Sequence, residues 1–202
     1  MIRLRLPWAR PECCASFFKC LNIKKLPNDK LEEVKKIVNR YAEKLGVGER
    51  HLPSFDTTLS DGVFIEYDDY NNSFYYCSRE RNIVNRSICL DLDDLLYNIF
   101  VSITHGMASS YELEHRRKNE DFRRQMFVKQ EELLGILREE WKLRLIKYHQ
   151  KILWRFPFDD NSDLRVGYYK ELRNSGMSPH DADLEAFKKY PLPTRNDTQL
   201  RQ

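Results

Sequence analysis

Residues 91–109, DLDDLLYNIFVSITHGMAS, decide the fold. Leu92, Leu95, Leu96, Ile99, Phe100, Ile103 and Met107 recur at three- and four-residue steps, which makes a helix. Few polar residues interrupt the run, so this helix belongs at the centre of a core rather than on its surface. Asp91 stands where an N-cap accepts from the first free backbone N–H groups. Asp93 and Asp94 sit at the positive end of the helix dipole.

The stretch before it reads as β-structure. Residues 62–68 (GVFIEYD) and 73–81 (SFYYCSRER) are rich in aromatic and β-branched side chains. Asp69-Tyr70-Asn71-Asn72 lies between them, and Asn tolerates the backbone of a tight turn. Residues 83–90 predict a third strand. So small a sheet must lean on helices to be stable.

Downstream, residues 119–154 read as one very long helix. Its stripe is Phe122, Met126, Leu133, Leu137, Trp141, Leu145, Tyr148 and Ile152, with mixed charge opposite and Pro157 as the stop. Gly135 interrupts it at a cost of about 1 kcal/mol. Upstream, residues 29–45 form an amphipathic helix capped by Asn28 or Asp29 and ended by Gly46 and Gly48. Residues 165–190 form two helices around Asn174-Ser175-Gly176, the second opened by Ser178-Pro179 with Asp181 in its first turn. The fold expected is α+β and mostly helical. A small antiparallel β-hairpin or meander packs on the core helix and the long helix, and a C-terminal helical hairpin follows. Residues 1–25 read as a poorly ordered segment, 26–160 as a single α+β domain, and 161–202 as an appendage and tail.

At 202 residues, with 41% apolar, 32% charged and 12% aromatic side chains, the chain is too aromatic for a disordered one. No apolar run reaches the ~18 residues that would cross a membrane. The start, MIRLRLPWARPECCASFF, is basic but lacks the apolar stretch of a secretion signal. Five cysteines without a CxxC pair suit a reduced, cytoplasmic chain.

Charge is uneven along the chain. Residues 1–55 carry twelve Lys/Arg against six Asp/Glu, whereas residues 56–110 carry three against nine. An acidic middle does not suit nucleic acid, whose phosphates need clustered Lys/Arg. It suits a basic protein partner, or it simply solvates strands and caps a helix.

Three constellations invite a chemical reading. Asp91, Asp93 and Asp94 could hold a hard cation, although capping explains the same pattern. His105 and His115 are ten residues apart, which is not the spacing that puts two imidazoles on one helix face. Arg116-Arg117-Lys118 and Arg123-Arg124 form a basic run. Glu120 can pair with these arginines at helical spacing, so an ion-paired helix is favoured over a phosphate-binding patch. In the 165–190 hairpin, Asp181, Asp183 and Glu185 would repel DNA from the second helix. None of the local patterns of metalloproteases, serine hydrolases or nucleotide-binding loops occurs.

Taken in order, these features resemble a known family. They are Leu52-Pro53-Ser54-Phe55, a hairpin ending in Ser78-Arg79-Glu80-Arg81, and Asp91-Leu92-Asp93-Asp94-Leu95-Leu96-Tyr97. Met107-Ala108, Tyr111-Glu112, Arg116, Glu120-Asp121-Phe122-Arg123-Arg124, Phe127 and Gln130 follow, then Trp141 and Pro157-Phe158-Asp159-Asp160. The pattern is similar to the immunity protein 63 family of bacterial polymorphic-toxin systems, over about residues 50–160. It departs at Asn82, where the pattern leads one to expect Gly. The resemblance implies a cytoplasmic protein without catalysis or cofactor that binds and neutralises a cognate toxin domain. Many such toxins act on nucleic acids, so an acidic surface of Glu66, Tyr67, Asp68, Asp69 and Tyr70 is the expected toxin contact. Glu80, Arg81, Arg116, Asp121 and Arg123 match the family pattern and can equally be a structural ion-pair network. The hairpin edge could pair with the toxin or with a second copy, giving a homodimer. Two rival classes remain. A nucleic-acid-binding regulator would join 116–124 to the basic N-terminus, and a small enzyme would bring His105, His115 and carboxylates into one pocket.

Overall fold

A computed structural model describes residues 29–58 and 61–194. The readings of residues 1–25, of Asn28 and of the tail from 195 lie outside them. In chain order the elements are α1 (Asp29–Leu45), β1 (Gly62–Asp68), β2 (Ser73–Glu80), β3 (Ile83–Cys89) and α2 (Leu92–Glu114). Next come α3 (Arg123–Leu137), α4 (Glu139–Arg155), α5 (Ser162–Asn174) and α6 (Pro179–Lys189). The fold is α+β and mostly helical.

The core helix forms as its periodicity requires and runs five residues past Ser109, to Glu114. Asp91 caps it, its carboxylate accepting from Asp94 N–H at 2.8 Å. Leu95, Ile99 and Phe100 are fully buried and meet Val34 and Val38 of α1 and Ile65 of β1 in one apolar cluster. Trp141 completes that cluster, its ring met edge-on by Tyr41 and Tyr97 and stacked by Phe100.

The single long helix expected over 119–154 is not there. The helix starts at Arg123 and breaks at Arg138, whose φ of −156° and ψ of 131° are extended. α4 then folds back along α3, so that Phe127 stacks on His149 and Met126 and Phe127 meet Ile152 and Leu153. An unbroken helix of that length would run about 50 Å, too long to lay its whole stripe on one small core. Folded in half, both apolar stripes reach α2. Arg138 holds the bend, its guanidinium on Asp93 and over the Trp141 ring. A Cβ on Gly135 would meet Lys142 Cδ at 2.9 Å, so the glycine read as a helix weakness stands beside the bend.

The sheet is antiparallel in the order β1-β2-β3. Its inner face presents Ile65, Phe74, Tyr76 and Cys89 to the core. On the outer face Phe64 lies under the Arg79 guanidinium, and the Arg86–Glu66 pair crosses beside buried Cys77. The β2–β3 turn is Arg81-Asn82, with φ of +49° and +66°. Asn tolerates this left-handed backbone, so the departure from Gly at position 82 leaves the hairpin intact.

α5 and α6 pack on each other through Ala182 and Ala186. Ser178 caps α6, accepting from Asp181 N–H.

Candidate partner-binding surface

The β1–β2 turn is built by its own side chains. Asp68 Oδ1 accepts from the N–H groups of Tyr70 (2.9 Å) and Asn71 (3.3 Å), and Oδ2 accepts from the Asn71 amide at 2.6 Å. The Asn71 side-chain bond is the main cause holding the Asp68 carboxyl below its usual range. Tyr67 donates its O–H to Asn72, which takes φ +49°. Tyr70 projects from this fixed turn with 94% of its surface exposed.

The five residues expected to form one acidic surface are therefore sorted by the pleat. Successive side chains of a strand face opposite sides, so Glu66 and Asp68 share one face of β1 and Tyr67 takes the other, against Phe74 at 4.9 Å. Glu66 holds Arg86 at 2.8 Å and Asp68 holds its own turn. Asp69 and Tyr70 are the exposed members of the set, Tyr70 at 94%. Most of the acidic middle is spent in the same way. Asp56 and Asp61 accept from Thr58 and Arg81 backbone, Asp93 accepts from Trp141 Nε1 at 3.2 Å, and Asp94 pairs with Arg144 at 2.7 Å. Asp91, Asp93 and Asp94 thus turn to different partners, and among the described residues no three His, Cys, Asp or Glu are placed to hold a metal ion.

The sequence pointed to an edge of the hairpin, and among the described residues the edge left without a neighbouring strand is that of β3. The β1 edge is covered by Ser54, which donates to Val63 O and accepts from Ile65 N–H, both at 2.9 Å. On the other side β3 is an edge strand, exposed from Ile83 to Ile88. Ile83, Val84, Ile88 and Leu90 are 65%, 38%, 62% and 91% exposed.

The family-pattern residues fall into separate places. Glu80 and Arg81 stand at the β2–β3 turn, the Arg81 N–H donating to Asp61 at 2.9 Å. Arg116 grips the buried Glu112 carboxylate with two bonds of 2.8 and 2.9 Å. Asp121 and Arg123 are brought together and close the open end of the α3–α4 hairpin. Asp121 accepts from the Arg123 guanidinium and from the N–H groups of Arg123 (3.0 Å) and Asp159 (2.8 Å). Arg123 donates onward to the carbonyls of Phe156 and Pro157, each at 2.8 Å. Beside it Arg124 holds Asp160, and Arg165 holds Asp159 and the Tyr190 carbonyl. The expected ion-paired helix over 116–124 is instead the α2–α3 connection. Glu120 reaches only Arg117, at 3.5 Å, because Arg116, Arg123 and Arg124 have nearer carboxylates.

His105 and His115 are not brought together. His115 closes the α2 end, its Nδ1 2.8 Å from Tyr111 O and its ring stacked on Tyr111. His105 instead lines a groove of about 500 Å³ with His149 and Gln130. His149, which sequence reasoning passed over, is buried with Nδ1 2.6 Å from Glu131.

A family model described as Immunity protein 63 matches residues 70–151 of the chain. Over that span the chain is similar to the immunity proteins of that family. The match takes in β2, β3, α2, α3 and most of α4, and leaves out Glu66–Asp69 and the stretch from Pro157. No curated protein and no solved structure matches the chain. No helix among the described residues is long and apolar enough to cross a membrane.

Proposed function

Proceeding from the match to immunity protein 63, we propose that this chain binds and neutralises a cognate antibacterial toxin domain in the cytoplasm, without catalysis of its own. The observation that carries the reading is the β1–β2 turn. A fully exposed tyrosine stands on a loop already fixed by Asp68, Asn71 and Asn72, and a preorganised aromatic anchor loses little freedom on binding. Asp69 beside it supplies the acidic character that a nucleic-acid-cleaving toxin's basic site would meet. A phosphate-binding role gains no support, because Arg116, Arg117, Arg123 and Arg124 each hold a carboxylate.

The test is co-expression. The C-terminal domain encoded by the gene immediately upstream is induced in a test bacterium with and without this chain. Restored growth, together with a complex recovered by pull-down, is the expected result. Tyr70→Ala with Asp69→Lys should weaken that complex while leaving the fold intact. A toxic domain that kills equally with the chain present, and no complex, overturns the reading.

A further inference from the structure

We infer that the groove between the sheet, α2, α3 and α4 is a pocket for a tryptophan side chain of the toxin, which brings the hydrogen-bond donor that Gln130 and His149 lack. This rests on the immunity reading and names one contact by which the partner is held. Gln130 is 2% exposed and His149 4%, yet each keeps one polar atom without a partner. The Gln130 amide is fixed by its donor half. Its Nε2 donates to Val101 O at 3.1 Å, a carbonyl that can only accept, so Oε1 is the free end. His149 is fixed in the same way. Its Nδ1 lies 2.6 Å from the Glu131 carboxylate, which puts the ring proton on Nδ1 and leaves Nε2 of the neutral ring as an acceptor. Among the described residues no donor reaches Oε1 or Nε2. Neither atom is sealed in, because among the described side chains Asp159 Oδ1 is the atom that is both wholly buried and unpartnered. Both side chains line the groove of about 500 Å³, and the two acceptors open into it.

The remaining walls suit a flat apolar ring. Val101, Phe127, Leu145 and Ile152 line the groove, and Tyr148 stands 57% exposed beside them. Phe127 holds the His149 ring parallel to its own at 3.8 Å. The volume is within the range of pockets that enclose a ligand. Charge complementarity selects the occupant. The lining contains no Lys, Arg, Asp or Glu, and its two buried unpartnered atoms both carry negative partial charge. A carboxylate would set acceptor against acceptor. A lysine or arginine would lose its water among apolar walls with no carboxylate in the lining to meet it. A wholly apolar side chain would leave Gln130 and His149 unmet. Tyrosine and the amides bring an acceptor of their own. The indole of tryptophan is apolar, flat and donor-only, and when buried its N–H needs a partner. One N–H serves one acceptor, and a bridging water can serve the other. A tryptophan held in such a pocket is also the common form of an interface anchor. All of the groove except Ile152 lies within the matched residues 70–151.

The experiment uses the full chain and the inactivated C-terminal domain encoded immediately upstream, that domain carrying isotope-labelled tryptophan. In NMR spectra of the complex an indole N–H of the domain should become protected from exchange. The His149 ring nitrogens or the Gln130 side-chain amide of this chain should shift at the same time. Ser87→Trp puts a ring at an exposed position of the groove lining, and Tyr148→Ala takes an exposed wall away. Each should weaken the complex by about tenfold or more without touching the buried groups. The probe N-acetyltryptophanamide should move the same signals. Its N-methylindole counterpart, which has no donor, should bind about tenfold more weakly. If the complex forms but no indole N–H is protected, the Gln130 and His149 signals stay in place and both variants bind as the parent does, the pocket is refuted and the immunity reading stands. If no complex forms, both fall. If the two probes bind equally, the unpartnered acceptors do not select the ligand and the inference is overturned. It is overturned too if the probe enters the groove while the toxin leaves it untouched, since a free small molecule is then the occupant.

Discussion

Asp121→Ala removes the group on which the clasp between the α2–α3 connection and the end of α4 depends. In the native chain Asp121 is 8% exposed, and its carboxylate accepts from the Arg123 guanidinium and from the N–H groups of Arg123 and Asp159. Truncation leaves those donors unmet and the mostly buried Arg123 without its counter-charge. Breaking a buried pair from one side costs about 3–5 kcal/mol, more than the pair itself contributes. For a chain of this size that is a fall in Tm of about 6–20 °C. The penalty is the stranded charge, so Asp121→Ala with Arg123→Ala should cost much less than the two single changes added together. Calorimetry on the four proteins measures both quantities. The pH dependence has a definite sign. Burial pushes the Asp121 carboxyl up, but the Arg123 side chain and the two backbone N–H groups outweigh it and hold the group below its ordinary value. Asp160 is held low in turn, first by Arg124 and then by the Asp121 N–H. A carboxyl lower in the folded state contributes stability that is full above its unfolded pKa of about 4 and is lost as pH falls through the folded value. The parent should therefore lose urea resistance below pH 4 more steeply than Asp121→Ala. A Tm within about 2 °C of the parent, or fully additive single changes, would refute the clasp.

Other perturbations probe separate parts of the structure. Gly135→Ala exchanges the glycine penalty for a contact with the flexible Lys142 stem, so a scan should show Tm unchanged or raised by about 1–4 °C. A large fall would mean that the bend needs glycine. Arg165→Ala deprives Asp159 of its ion pair and the Tyr190 carbonyl of its donor. Limited proteolysis should then cut α5 and α6 earlier than the parent, and an unchanged digestion pattern would count against this tether. Burial first, and Glu66 next, push the Cys77 thiol up to about 11. Peptide mapping after alkylation at pH 8 should find Cys77 unmodified in the folded chain and modified in urea.

Periodicity was enough for the elements themselves. Apolar steps of three and four along 91–109, alternation in 62–68, and Ser178-Pro179 before α6 are local signals, and the elements they predict formed. Local chemistry also explains the caps, since Asp91 and Ser178 act within their own first turn. The break at Arg138 could not be read this way. The stripe Met126–Leu133–Leu137–Trp141–Leu145 keeps helical spacing across it, and only packing both halves on α2, with Asp93 to hold Arg138, makes the bend favourable. Charge shows the same divide. By composition residues 56–110 are an acidic block, but most of those carboxylates are satisfied by backbone N–H groups or by arginines, some of them, Arg138 and Arg144, about fifty residues away. Whether a carboxylate is a surface or a fastener depends on what the fold places against it. The sequence by itself determined most of the segments that are helix and strand, the break at Arg138 apart, because backbone preference and apolar period are properties of neighbours along the chain. Tertiary structure alone decided that Asp121 and Arg123 close a hairpin, that Tyr70 stands clear, and that, among the described residues, β3 has no strand on its outer side, because these depend on which groups meet across the fold.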